Sequence, residues 1–266
     1  MDIANWLKNG ALFSLNKTEI LVAYGEVKTS ANPFKQGHSF YAPDFYLSSQ
    51  QPWYQFEESY ALNKAELQVA LKKIGLSLSA PSFNWEPPSK GEFTSNFNAI
   101  KENISKGIIN KLVPVVFEMS ETSLSSEYLG YFISELLKAD PSQNIYGFWN
   151  NESGILGVTP EILINNNGST LTSMALAGTD RVVSGVGSLL TNVKEMNEHN
   201  FVVSSLYENL NVYGEVTQSE TYEWPINEIK HLRTDIKINL NKSISCEDLI
   251  KKLHPTPALG VHPKEY

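Results

Sequence analysis

The alternation of apolar and polar positions near the N-terminus predicts a hairpin. The segments ALFSL (11–15) and EILVAYG (19–25) carry strand-forming residues, and Asn16-Lys17-Thr18 between them is suited to a tight turn. Residues 32–60 scatter Pro, Gly and aromatics, the pattern of loops and short edge strands. A helical period follows over 61–75, where Leu62, Ala65, Val69 and Leu71 supply an apolar face and Gly75 a stop. The prolines of PSFNWEPPSKG (81–91) interrupt regular structure and mark a boundary. An α+β N-terminal subdomain over 1–91 and a second region over 92–266 are therefore expected.

Beyond the boundary the pattern is more regular. Phe93, Phe97, Ile100, Ile104 and Ile108 recur at helical spacing and predict an amphipathic helix over 92–109. It leads into LVPVVFE (112–118), read as a short buried strand in which Pro114 demands an edge position or a bulge. A helix over about 125–138 ends before Asp140-Pro141. The segments NIYGFW, GILGV, EILINN and STLTSMALAG then read as antiparallel strands. A long helix over about 191–210, two more strands and a short helix over 246–253 complete the chain. Strand clusters separated by isolated helices predict an α+β fold rather than a doubly wound sheet.

Composition narrows the function classes. In 266 residues, 41% are hydrophobic and 19% charged, enough apolar material for a real core and too little charge for a disordered chain. The net charge of −8, with no basic block, argues against a nucleic-acid surface but leaves a small anionic substrate open. Cys246 is the only cysteine, which excludes an intrachain disulfide and suits a reducing compartment. The start MDIANWLKNG lacks a secretory pattern and no apolar run is long enough to span a bilayer, so no membrane contact and a cytoplasmic location are expected.

Five places carry candidate chemistry, each with a plainer alternative. Glu195 and Glu198 are neighbours on one helical face and suit a hard divalent cation, although Lys194 and Glu198 also have the spacing of a surface ion pair. Glu161, in GVTPE (157–161), is either a carboxyl sheltered enough to carry a proton near neutral pH or a charge that begins a strand. In ALAGTDR (175–181), Gly178 permits close ligand approach or simply a tight turn. In LHPTPALG (253–260), two prolines stiffen a loop that fixes His254 and Thr256, for a ligand or for structure alone. Lys111 is a general base if it points inward and a helix-terminal cation if it points outward.

Taken in order from residue 92 to 266, the lysine segment, GVTPE, ALAGT, KEMNEH, IKHLRTDI (229–236) and LHPTPALG resemble the chorismate-binding enzymes. That family includes isochorismate synthase, salicylate synthase, anthranilate synthase component I and aminodeoxychorismate synthase component I. The resemblance implies an anthranilate synthase component I-like α+β fold, with antiparallel sheets flanked by helices. It implies Lys111 as the base activating water, Glu161 as the general acid at the C4 hydroxyl, and Glu198 with Glu195 as magnesium ligands. Gly178, Thr179, His254 and Thr256 match residues around the ring, and Mg2+ would hold the carboxylate of chorismate.

Ala177 occupies the position at which many aminodeoxychorismate synthases carry a nucleophilic lysine, so the motifs lean toward isochorismate synthase. The implied setting is menaquinone or siderophore biosynthesis. The alternatives are ammonia addition with a glutaminase partner, and a non-catalytic binding or assembly module. Val116 departs from the family pattern where an arginine is expected, as does Gly260-Val261 where two glycines are usual. The sequence also stops at Tyr266, before the family's second magnesium glutamate, so an incomplete C-terminal part and a protein partner completing the fold are further expectations.

Overall fold

The computed structural model describes residues 1–73, 80–183 and 187–264, so the expected stop at Gly75 lies outside the described residues. The chain forms two compact units, residues 1–84 with 120–160, and residues 85–119 with 161–266. This differs from a single cut at residue 91. The reason is strand pairing: Asn144–Trp149 returns to the first unit and pairs antiparallel with Gly10–Ser14.

The first unit is built on a six-stranded sheet. Its order is Phe40–Tyr41, Trp53–Asn63, Glu19–Ser30, Gly10–Ser14, Asn144–Trp149 and Gly154–Thr159. The expected N-terminal hairpin forms because the Asn16 side-chain oxygen accepts from the amides of Thr18 and Glu19, closing the turn. The expected helix starts later, at Lys64–Lys73, because residues 61–63 extend the preceding strand. That start puts Leu67 and Leu71 on the buried face, while Val69 is exposed. These leucines join Trp6, Leu12, Ile20, Ile133 and Trp149 in one apolar core. Trp6 and Trp149 meet edge-to-face, and each indole N–H finds a backbone carbonyl, at Ala11 and Trp6 respectively.

The second unit carries a five-stranded sheet in which Ile229–Leu240 is central. It pairs with Thr170–Arg181 on one side, and with Gly214–Gln218 and Tyr222–Ile226 along the other. Thr170–Arg181 also pairs with the two-residue strand Asn165–Asn166, all that forms of the strand expected at EILINN. The long helix is Val193–Leu210, begun by Asn192, whose side chain accepts from the amides of Lys194 and Glu195. It buries Val202, Leu206 and Leu210 against Leu171, Ala175, Ala177, Ile236 and Ile238 of the sheet. The two alanines bring helix and strand close. The helix Cys246–Leu253 adds Leu249 and Leu253 to the same core.

In residues 90–118 the expected helix forms and the expected strand does not. A helix forms at Lys90–Ser105, but none of its residues is buried, and Phe93, Phe97 and Ile104 stand exposed. The buried strand over 112–118 does not form; only Lys111–Leu112 is in a ladder, paired with Val261–His262. The sequence explains its shortness. Pro114 follows on one strand and Pro263 on the other, and neither has an N–H to extend the pairing. Val115, Val116 and Phe117 remain exposed.

Leu206 is a direct probe of the second unit. Leu206→Ala should lower stability by about 2–5 kcal/mol in urea titrations, because a cavity is left between helix and sheet. The exposed Val212→Ala should stay within about 0.5 kcal/mol of the parent.

Candidate active site

The two-residue ladder decides the orientation of Lys111. Its antiparallel pairing with His262 is extended by hydrogen bonds from Asn110 N to His262 O and from Val113 N to Gly260 O. Held in this way, the lysine points inward and is only 9% exposed. Its ammonium donates to the Pro257 carbonyl at 2.6 Å and lies 3.1 Å from Glu198 Oε1. A buried ammonium needs such partners, since an unpaired charge there would be costly.

Glu198 and Glu195 lie in the first two turns of the long helix. Glu198 also faces Lys194 Nζ at 3.6 Å, and Glu195 Oε1 lies 2.6 Å from the same ammonium. The other Glu195 oxygen accepts the Thr179 amide at 3.3 Å. That amide is aimed by a bulge. Gly178 has φ +79, in the left-handed region, and the register with Ile229–Leu240 shifts between Ala177 and Thr179. A Cβ on Gly178 would come within 3.2 Å of Leu232 and 3.4 Å of the Glu195 backbone, so the helix lies closely against the bulge.

Glu161 belongs to the same unit. Burial pushes its carboxyl up to about 6, and the nearby Lys111 ammonium pulls the other way. The loop after Cys246–Leu253 reaches Lys111 through the Pro257 carbonyl. Thr256 is buried in that loop, its carbonyl accepting from Leu259 and Gly260, and His254 closes the helix by donating its amide to Ile250 O. Gly260 packs closely here, since a Cβ would stand 3.0 Å from Pro255. Val261, where a second glycine is usual, is part of the Lys111 ladder.

The family described as "Chorismate binding enzyme" matches residues 32–266 of this chain. The chain belongs to the chorismate-binding enzymes. Isochorismate synthase MenF of Bacillus subtilis is 34% identical over 142 residues, 47% of this chain and 29% of that protein. Isochorismate synthase MenF of Haemophilus influenzae is 30% identical over 145 residues, 50% of this chain and 33% of that protein. The matches thus span a third or less of those relatives. Among solved structures, the menaquinone-specific isochorismate synthase MenF of Escherichia coli superposes with a TM-score of 0.70 at 15% identity, over 97% of this chain and 72% of that one. Anthranilate synthase component I of Streptococcus pneumoniae TIGR4 gives 0.57 at 14%, over 76% and 53%. These likenesses show the chorismate-binding α+β fold.

As a cation site, this chorismate-binding chain offers Glu195 and Glu198, whose carboxylate oxygens suit a hard ion. Among the described residues, no group of three or more His, Cys, Asp or Glu side chains gathers at one point. Lysines offset both carboxylates, and an ion held by these two acids alone would draw its other oxygens from water or substrate. No helix among the described residues is long and apolar enough to cross a membrane.

His199 is fully buried between helix and sheet, as a packing histidine would be. Sequence reasoning missed one contact around the bulge, where His231 Nδ1 lies 2.8 Å from Thr179 Oγ1. Both histidines belong to motif segments already conspicuous in the sequence, IKHLRTDI and KEMNEH. What it lacked was the strand register that sets His231 opposite Thr179.

The raised Glu161 pKa has a stability consequence. Folding favours the protonated carboxyl, so its contribution is full below about pH 4.5 and is lost as pH rises through about 6. Glu161→Gln should therefore raise unfolding stability by up to about 2 kcal/mol at pH 7.5 and leave it nearly unchanged at pH 4. Urea titrations at the two pH values measure the difference.

Proposed function

We propose that this chain carries out isochorismate synthase chemistry on chorismate. Water adds at C2, hydroxide leaves from C4, and the ring double bonds shift between them. The observation that carries this reading is that one unit holds both a half-buried carboxyl, Glu161, pushed up to about 6 by burial, and an inward-pointing lysine, Lys111. Two relatives whose printed names give that activity support the choice of reaction.

In this reading Lys111 acts as the free amine, its ammonium proton having first passed to solvent, and takes a proton from the attacking water as the C2–oxygen bond forms. Glu161 gives its proton to the C4 hydroxyl as that carbon–oxygen bond breaks. One water enters and one leaves, so the product is an isomer of the substrate. An acid near 6 is well matched to proton donation close to neutral pH. Gly178, Thr179, His254 and Thr256 contribute to the wall around the ring. Ala177 has no amine for covalent attack at C2, which leaves water or ammonia as the nucleophile.

Glu198, with Glu195 beside it, would hold Mg2+. Bound there, the ion would neutralise the ring carboxylate of chorismate and fix its orientation. The lysines at 111 and 194 keep the two carboxylates apart in charge until then.

Product chromatography after incubation with chorismate and Mg2+ tests the proposal. Isochorismate is expected, with turnover lowered about 10²–10⁴-fold in Glu161→Gln. Well-folded protein yielding no isochorismate, or an unchanged rate in the variant, would contradict it. With ammonium salt present, the product should still be water-derived; an amine at C2 would assign the chain to ammonia chemistry instead.

A further inference from the structure

His199 directly follows Glu198 in sequence, is fully buried, and uses both ring nitrogens. Nδ1 lies 3.2 Å from the Ala177 carbonyl and Nε2 lies 2.8 Å from Thr234 Oγ1, which in turn is 2.9 Å from Thr221 Oγ1. These contacts fix a direction. A carbonyl only accepts, so Nδ1 carries the hydrogen and donates. In the tautomer that carries its one hydrogen on Nδ1, Nε2 is the acceptor. Thr234 therefore donates its single hydroxyl hydrogen to the ring, and Thr221 donates to Thr234. The three side chains form a chain of hydrogen bonds with one polarity, ending on the Ala177 carbonyl.

That carbonyl immediately precedes the bulge. From Ala177 the backbone turns through Gly178 and presents the Thr179 amide to Glu195. His199 is thus the side chain that ties the helix bearing Glu195 and Glu198 to the strand residue from which the bulge begins. We propose that His199 is a positioning residue, clamping the Ala177 carbonyl so that the Thr179 amide meets Glu195 and Glu198 stays within reach of Lys111. Only its consequence for turnover rests on the isochorismate synthase reading; the clamp itself stands on the helix–bulge geometry.

The substitutions His199→Asn and His199→Gln separate clamping from simple filling of space. The Asn amide places an N–H near the position of Nδ1, whereas the Gln amide reaches toward that of Nε2. By NMR, wild-type protein should show the Nδ1-protonated tautomer. Exchange of the Thr179 amide should be about tenfold faster in His199→Gln and close to wild type in His199→Asn. Turnover of chorismate should fall in the same order, through kcat more than KM. An Nε2-protonated ring in wild-type protein, or equal Thr179 exchange in the two variants, would overturn the proposal. The tautomer is read on unaltered protein, so it decides the matter even if a variant fails to fold. Wild-type protein that shows the clamp but forms no isochorismate would defeat the functional reading and leave the clamp standing.

Discussion

The site depends on one sheltered ion pair. Lys111 comes from a ladder only two residues long, and Glu198 from an eighteen-residue helix bound to a sheet. Their 3.1 Å contact joins segments 87 positions apart in sequence, as 198 minus 111 shows. Removing an ammonium from water is unfavourable, and the Pro257 carbonyl together with the Glu198 carboxylate offsets that penalty. Without either partner the lysine would have reason to turn outward.

Around this pair, the long helix acts as the reference frame. Its apolar face is fixed by Val202, Leu206 and Leu210, while its first two turns carry the acids. Small residues on the facing strand make the approach possible, and the Gly178 bulge then brings a backbone amide to Glu195. The result is a site in which carboxylates, an ammonium and a raised-pKa acid share one unit. Packing sets the acids' positions, and the charges determine what can bind there.

Much of the architecture could be read from the sequence because it depends on local pattern. The Asn16 turn, the helix at Val193–Leu210 and the helix at Cys246–Leu253 all follow from caps and apolar periods. The ordered motifs around Lys111, Glu161, Glu198 and LHPTPALG likewise pointed to the chorismate-binding family, to which the match over 32–266 assigns the chain. What escaped is long-range. Apolar periodicity at 93–108 predicts a helix but not whether anything covers it, and LVPVVF is strand-like without a partner long enough to pair with it. The orientation of Lys111 was undecided for the same reason: its ladder partner lies 151 positions away, 262 minus 111. The contact of LHPTPALG with Lys111 is made by a carbonyl, at Pro257, which no side-chain motif displays.

A double-mutant cycle on Lys111 and Glu198 tests the central claim most directly. Urea titrations of the parent, Lys111→Met, Glu198→Gln and the double variant give the coupling between the two side chains. A sheltered pair that organises the site predicts a coupling of about 1–3 kcal/mol, with the double variant less destabilised than the sum of the single ones. Additivity within about 0.5 kcal/mol would mean that the two charges do not depend on each other, and the account of the site built on them would fall.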